Sequence, residues 1–242
     1  MNTIHNVKEL IDKVDEQKQI NLDSGERSDL IFRGQNHGYK LEPKLMRYKD
    51  RDIVNLEELV ITEFKRLSPP FVSVESNSES DWLVLAQHYG LPTRLLDWTY
   101  NPLSALWFGL NMVRHKGRGE KDEASVWDLR PSLQAYMKQQ NLKDSSLEVG
   151  GNIVYRPRNL TSRIINQSSI FTMHSMNNLS PLEEDDNCKG KLIQYKIDRM
   201  NEDKILDDLH VLNVNESTIY PDLQGLCGHL KWRYFERPRL EI

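Results

Sequence analysis

The chain has 242 residues, 38% apolar and 28% charged, with 32 Lys and Arg against 36 Asp and Glu for a net charge of −4. That length and apolar content suit a single domain over residues 1–242 with a real core. The acidic balance speaks against a protein whose main task is neutralising nucleic-acid backbone, although a local basic cleft stays open.

Helical spacing places Val7, Leu10, Ile11 and Val14 on one stripe. A polar turn then leads to DLIFRGQNHGYKLEPKLMR, residues 29–47, in which Leu30, Ile31 and Phe32 read as a buried strand ending in Arg33 and Gly34. A buried guanidinium cannot lose its charge, so Arg33 needs either an anionic ligand or an internal Asp or Glu. Gly34, without a Cβ, would let a ligand approach the backbone. Arg47 is a second candidate anion contact, or else a surface ion pair. The next helix is predicted from Asn55, with Leu56, Leu59, Val60, Phe64 and Leu67 on it and Pro69-Pro70 at its end. A further helix, capped by Ser80, carries Trp82, Leu83, Leu85 and Ala86 and stops near Gly90. Asn101-Pro102 opens LSALWFGLNMV, apolar nearly all round and therefore deeply buried.

ASVWDL alternates like a strand and PSLQAYMKQ reads as a short helix. GNIVY, SRIINQSSIFTMHS and KLIQYKI are strands by their β-branched and aromatic content. EDKILDDLHVL and, after Pro221, DLQGLCGHLKWRYF are helices. The expected fold is α+β, with helices mainly in the first half packed on a sheet built largely from later strands. Cys188 and Cys227 lie far apart with no CxxC, so no zinc site, disulfide framework or other metal is expected. The start MNTIHNVKEL lacks a basic-then-apolar leader, and no run approaches the roughly 18 apolar residues of a membrane span. A cytoplasmic protein without membrane contact is the expectation.

The densest constellation is LAQHYGLPTRLLDWTYNPLSALWFG, residues 85–109. His88, Tyr89, Arg94, Asp97 and Trp98 fall between two helices, with Gly90 and Pro92 bending the chain among them. His88, in a last helical turn, has a carbonyl or an anion as its natural partner. Arg94 and Asp97 are spaced to pair with each other if the turn is helical. Trp98 either stacks on a ring or simply packs. Read as a strand, RIINQSSIFTMHS puts Gln167, Ser169, Phe171 and Met173 on one face and Ser168, Ile170, Thr172 and His174 on the other. Such a strand is a wall of a cleft or a half-exposed edge. Asp222, after Pro221, sits in a first helical turn where the dipole favours a carboxylate. No nucleophile elbow, Walker loop, metalloprotease helix or Rossmann glycine pattern occurs.

Taken together, FRGQ, YKLEPKLMR, LAQHYGLPTRLLDWTYNPLSALWF, INQSSIFTMHS and IYPDLQGL resemble the FRG domain family, over about residues 25–232. The family is widespread in bacteria and associated with phage, and its members usually carry a glycine after the glutamine pair, where this chain has Ser168-Ser169. More distantly, Phe32-Arg33-Gly34 is similar to the aromatic-Arg-Gly triplet of ADP-ribosyltransferases of the Arg-Ser-Glu type. That resemblance implies an ADP-ribosyltransferase-like fold and an NAD-dependent transferase of toxin or phage-defence type. NAD would be its substrate, a protein or nucleic acid its acceptor, and an antitoxin or regulatory protein a partner. By order along the chain Arg33, the strand Ser168 to Ser175 and a late acid would be counterparts, the acid being Asp222 by order and family segment because no E-x-E or Q-x-E occurs. His88 joins Arg33 and Asp222 in the expected catalytic set as a group that bonds a ribose hydroxyl or assists proton transfer. NAD contacts would come from Arg33, Gly34, Gln35, Tyr39, Arg47, His88, Tyr89, Arg94, Asp97, Trp98, Gln167, Phe171, Thr172 and His174. The alternatives are a nucleotide- or protein-binding module using the same cleft, or a nuclease, which the lack of closely spaced metal-binding carboxylates disfavours.

Overall fold

The computed structural model describes residues 2–25, 28–36, 38–72, 78–116, 123–132, 151–186, 188 and 190–237; the helix expected at PSLQAYMKQ falls almost wholly outside them. In chain order the elements are β1 (Thr3–Ile4), α1 (Val7–Asp23), β2 (Ile31–Gln35), α2 (Ile53–Leu67), α3 (Glu79–His88), β3 (Leu95–Thr99), α4 (Pro102–Lys116), β4 (Ser125–Leu129), β5 (Ile153–Tyr155), α5 (Ser162–Asn166), β6 (Ser169–Met173), β7 (Leu192–Ile197), α6 (Glu202–Val211), α7 (Glu216–Ile219) and α8 (Leu223–Lys231). The strands form one sheet in the order β1-β7-β4-β2-β3-β6-β5, antiparallel except where β1 meets β7. The mixed α+β fold is the expected one, but its strands are drawn from the whole chain and interspersed with the helices. Among the described residues no helix is long and apolar enough to cross a membrane.

Four segments differ from expectation, the first being α3, whose N-cap is Ser78 with Ser80 inside the helix. The α2 helix starts earlier than Asn55, because the Asp52 side chain caps it by accepting from the Asn55 N–H at 3.3 Å. Residues 95–99, expected as a turn between helices, form β3 and pair along their length with β6. SRIINQSSIFTMHS is not one strand: Thr161 caps the short helix α5, Gln167 ends it, and β6 begins only at Ser169. The hinge between them is Ser168, in left-handed backbone with φ 48°.

Cross-strand pairs fix the faces of the sheet. Phe32 opposes Thr99, Gly34 opposes Val126 and Asp97 opposes Phe171, so these side chains share one face. Over its β2–β4–β7 half, α4 packs Ala105, Leu106 and Leu110 onto Phe32, Val126 and Tyr195, joined by Leu10 and Leu209. Each such large apolar side chain contributes about 1.5–3 kcal/mol by leaving water. Over the other half, Ile61 of α2 and Leu83 and Val84 of α3 pack on Leu95, Phe171 and Met173. The opposite face, with Ile31, Leu96, Trp98 and Ile170, is covered by Leu41 and Leu182 from connecting segments.

Gly34 is where α4 comes closest to the sheet. A Cβ there would lie 1.9 Å from the Ala105 carbonyl oxygen and 2.4 Å from the Gly109 nitrogen. The absent Cβ therefore makes room for the helix backbone, which corrects the expectation that it makes room for a ligand.

Candidate functional site

β2 and β3 bridge at Phe32 and Thr99 alone, whereas each pairs along its length with its other neighbour. Beyond that bridge the strands part, and Arg33 occupies the fork. Its Nη1 donates to the Asp97 carbonyl at 2.7 Å and lies 3.9 Å from Asp97 Oδ2. Its Nε is buried and meets no hydrogen-bond partner. Burial holds the guanidinium below its ordinary pKa, Asp97 acts against that and Arg47 adds to it. Asp97 is no interior counter-ion, since its side chain is 57% exposed. The charge of Arg33 is thus only loosely matched.

In front of the fork lies a cavity of about 360 Å³, within the range of small-molecule pockets. Arg33, Gly34, His88, Asp97, Trp98, Gln167 and Phe171 all line it. Lys44, Gln87, Thr99, Arg163 and Tyr220 line it as well, and sequence reasoning had not placed these in the site. Their signal was proximity: Gln87 precedes His88, Lys44 lies in EPKLMR, and Tyr220 lies in IYPDLQGL. Three cationic side chains, Arg33, Lys44 and Arg163, face one carboxylate, Asp97, so the lining favours an anion.

His88 ends α3, and burial lowers its pKa, Arg163 adding to the effect while Asp97 and Asp222 oppose it. The shift favours the neutral ring, which can donate or accept a hydrogen bond. Its ring meets Tyr89 edge-on at 4.9 Å, and Tyr89 itself is exposed. Asp97 Oδ2 accepts from Gln87 Nε2 at 2.9 Å, and Phe171 stands directly across from Asp97 in the β3–β6 register. Trp98 faces the other way, its Nε1 donating to Thr172 Oγ1 at 3.1 Å.

Several expected contacts lie elsewhere. Arg94 does not pair with Asp97. It is buried against Glu57, whose Oε1 accepts from the Arg94 backbone N–H at 2.7 Å while Oε2 takes the guanidinium. The extended geometry of the segment, in place of a helical turn, separates the two residues. Thr172 and His174 sit behind the cavity wall; Thr172 Oγ1 is 3.4 Å from His174 Nε2. His174 is fully buried, and burial pushes its pKa down to about 3, with Asp185 opposing and Arg33 adding. Gln35 turns its amide to the Tyr39 carbonyl, and Arg47 lies over the Tyr39 ring at 5.2 Å, so these three engage one another and do not line the cavity.

Asp222 also stands outside the lining. It caps α8, with Oδ1 accepting from the Gly225 N–H at 2.8 Å and Oδ2 from Arg163 Nε at 3.0 Å. The Gly225 N–H first, and then Arg163, hold it below the usual carboxylate range. Both oxygens are engaged, and their effect is to fix Arg163, whose guanidinium also lies 5.0 Å from the Tyr220 ring centre. Among the described residues, no group of three or more His, Cys, Asp or Glu side chains is arranged to hold a metal ion.

A family model described as the FRG domain matches residues 28–118, the stretch from just before β2 to just past α4 that contains Arg33, His88 and Asp97. No curated protein and no solved structure matches the chain.

Proposed function

We propose that the chain, whose residues 28–118 match the FRG domain model, is an NAD-dependent ADP-ribosyltransferase of toxin or phage-defence type with a protein or nucleic-acid acceptor. The observation that carries the reading is Arg33: a largely buried, loosely matched guanidinium at the mouth of a fork, lining a cavity shared with Lys44 and Arg163. That set suits the two negative charges of a dinucleotide's diphosphate. Phe171 offers an apolar ring to the nicotinamide, and neutral His88 a hydrogen bond to a ribose hydroxyl.

When the nicotinamide glycosidic bond breaks, the bonding pair leaves with neutral nicotinamide and positive charge develops on the ribose. A carboxylate fixed nearby stabilises that charge. Among the described residues Asp97 is the one acid lining the cavity, so it takes this role in place of Asp222. Asp222 becomes the positioning residue for Arg163.

Incubation with labelled NAD and cell extract, reading nicotinamide release and label transfer, tests the proposal. Arg33→Ala and Asp97→Asn should each cost about 10²–10³-fold. Asp222→Asn should cost less, and the reverse ranking returns the carboxylate role to Asp222. Absence of both nicotinamide release and label with the unaltered chain sinks the enzymatic reading. Saturable NAD binding without turnover points instead to a binding module, which the engagement of both Asp222 oxygens favours.

A further inference from the structure

A second cavity, of about 1140 Å³, adjoins the first, and Phe32, Ile164 and Ser169 line both. It runs between α1, which contributes Lys18 and Asn21, and the segment carrying Arg156 and Asn159. Arg156 Nε donates to the Tyr100 hydroxyl at 2.9 Å, and its guanidinium is 5.9 Å from that ring centre. Its Nη2 is 3.3 Å from Asp29 Oδ2. Ser168, the left-handed residue before β6, borders this groove where it meets the first cavity.

We propose that this groove is the acceptor site and that it takes a carboxylate side chain presented by a partner protein. The proposal rests on the ADP-ribosyltransferase reading of the neighbouring cavity. An acceptor must reach the ribose carbon from a space next to the NAD site, and the two cavities adjoin across a common wall at Phe32, Ile164 and Ser169. Lys18 and Arg156 against Asp29 leave one net positive charge, which suits a single anion. Among the described residues, Asp29 is the one acid in the lining and is ion-paired with Arg156, and no histidine lines the groove. An acceptor that must first surrender a proton finds no base there, whereas a carboxylate attacks as it stands.

In that step a carboxylate oxygen bonds to the ribose carbon as the carbon–nitrogen bond breaks. The electron pair leaves on nicotinamide, the product is an ester, and no proton is transferred. Nucleic acid is the poorer acceptor: the chain's net charge is −4, and of the two cations among the described lining residues one, Arg156, is already paired with Asp29.

The test uses the full chain with labelled NAD and cell extract, comparing the unaltered protein with the double variant Lys18→Ala, Arg156→Ala. Label on protein should fall at least about tenfold, while nicotinamide released by hydrolysis stays within about twofold and the melting curve is unchanged. Neutral hydroxylamine, which cleaves such esters, should remove the label. If the double variant melts early, Lys18→Ala alone, at an exposed position, carries the same expectation. Loss of label and nicotinamide release in step would show that the groove holds part of NAD, and would overturn the assignment. Label on nucleic acid, or label that resists hydroxylamine, overturns it too. An unaltered chain that releases no nicotinamide overturns the transferase reading, and the acceptor site with it.

Discussion

Gly34→Ala separates two reasons for the glycine of the Phe-Arg-Gly triplet. The added Cβ would lie 1.9 Å from the Ala105 oxygen, where real Cβ contacts begin beyond 3.0 Å, so α4 must back away by at least 3.0 − 1.9 = 1.1 Å. Both atoms it meets, the Ala105 oxygen and the Gly109 nitrogen, are helix backbone and cannot rotate aside. Retreat of α4 loosens Ala105, Leu106, Trp107 and Leu110 from the core they share with Phe32 and Val126. Overpacking of this severity costs about 3 kcal/mol or more. In a chain of this size each kcal/mol moves the melting temperature by about 2–4 °C, so calorimetry should show a fall of about 6–12 °C. NAD titration on the same variant gives the contrasting readout. A variant that melts within about 2 °C of the parent yet loses NAD affinity would refute the packing account and restore ligand approach as the reason for glycine.

Other expectations follow from the same geometry. Glu57→Gln removes the carboxylate that meets both the buried Arg94 guanidinium and its backbone N–H, and the urea midpoint should report a loss of about 3 kcal/mol. Asp128 and His174 are both fully buried and titrate in opposing senses. His174, ordinarily near 6.5, takes no proton in the folded state until about pH 3, so acidification from 6.5 favours the unfolded chain by about 1.4 kcal/mol per pH unit. Asp128, raised by burial from 3.8 to about 7 with Arg130 opposing, keeps a proton that the unfolded chain has lost, so acidification between those values favours the fold by a similar slope. The two offset each other, and Asp128→Asn should expose the His174 slope as an extra loss of about 2–3 kcal/mol from pH 6.5 to 4.5; a profile parallel to the parent contradicts the buried carboxyl. Ser168→Gly relieves left-handed backbone at φ 48° and should raise stability by about 1 kcal/mol, read as a melting point higher by about 2–4 °C.

Elements whose signals are local were legible in the sequence. Asn101 does open α4 at Pro102, its Oδ1 accepting from the Leu103 N–H at 2.9 Å, and the alternation in ASVWDL does mark β4. β3 was hidden because LLDWT is short, carries an exposed acid at its centre and follows a Gly-Pro bend; what makes it a strand is pairing with β6, which lies far along the chain. The same dependence on distant partners hid the ion pairs. Nothing in TRLLDW announces that Arg94 will turn to Glu57 while Asp97 turns to Gln87. The site's centre was readable from residue type, since a strand-end arginine demands a partner. Its cationic companions Lys44 and Arg163 were not, because they come from segments that meet only when the sheet is assembled.

The triplet assigns a different physical task to each residue. Alternation along β2 sends Phe32 and Gly34 to the face that α4 covers and Arg33 to the other. Arg33 reaches the cavity only because β2 and β3 separate beyond the Phe32–Thr99 bridge, leaving the Asp97 carbonyl without a ladder partner on β2. Nη1 satisfies that carbonyl while the guanidinium as a whole lines the cavity. A guanidinium can do both at once because its donors diverge in a rigid plane; an ammonium at the same strand end could close the fork or meet the ligand, but the geometry of a point charge would not hold the two in fixed relation. Arginine at this position therefore couples the shape of the sheet to the charge of the site, and the glycine that follows lets α4 seal the core directly behind it.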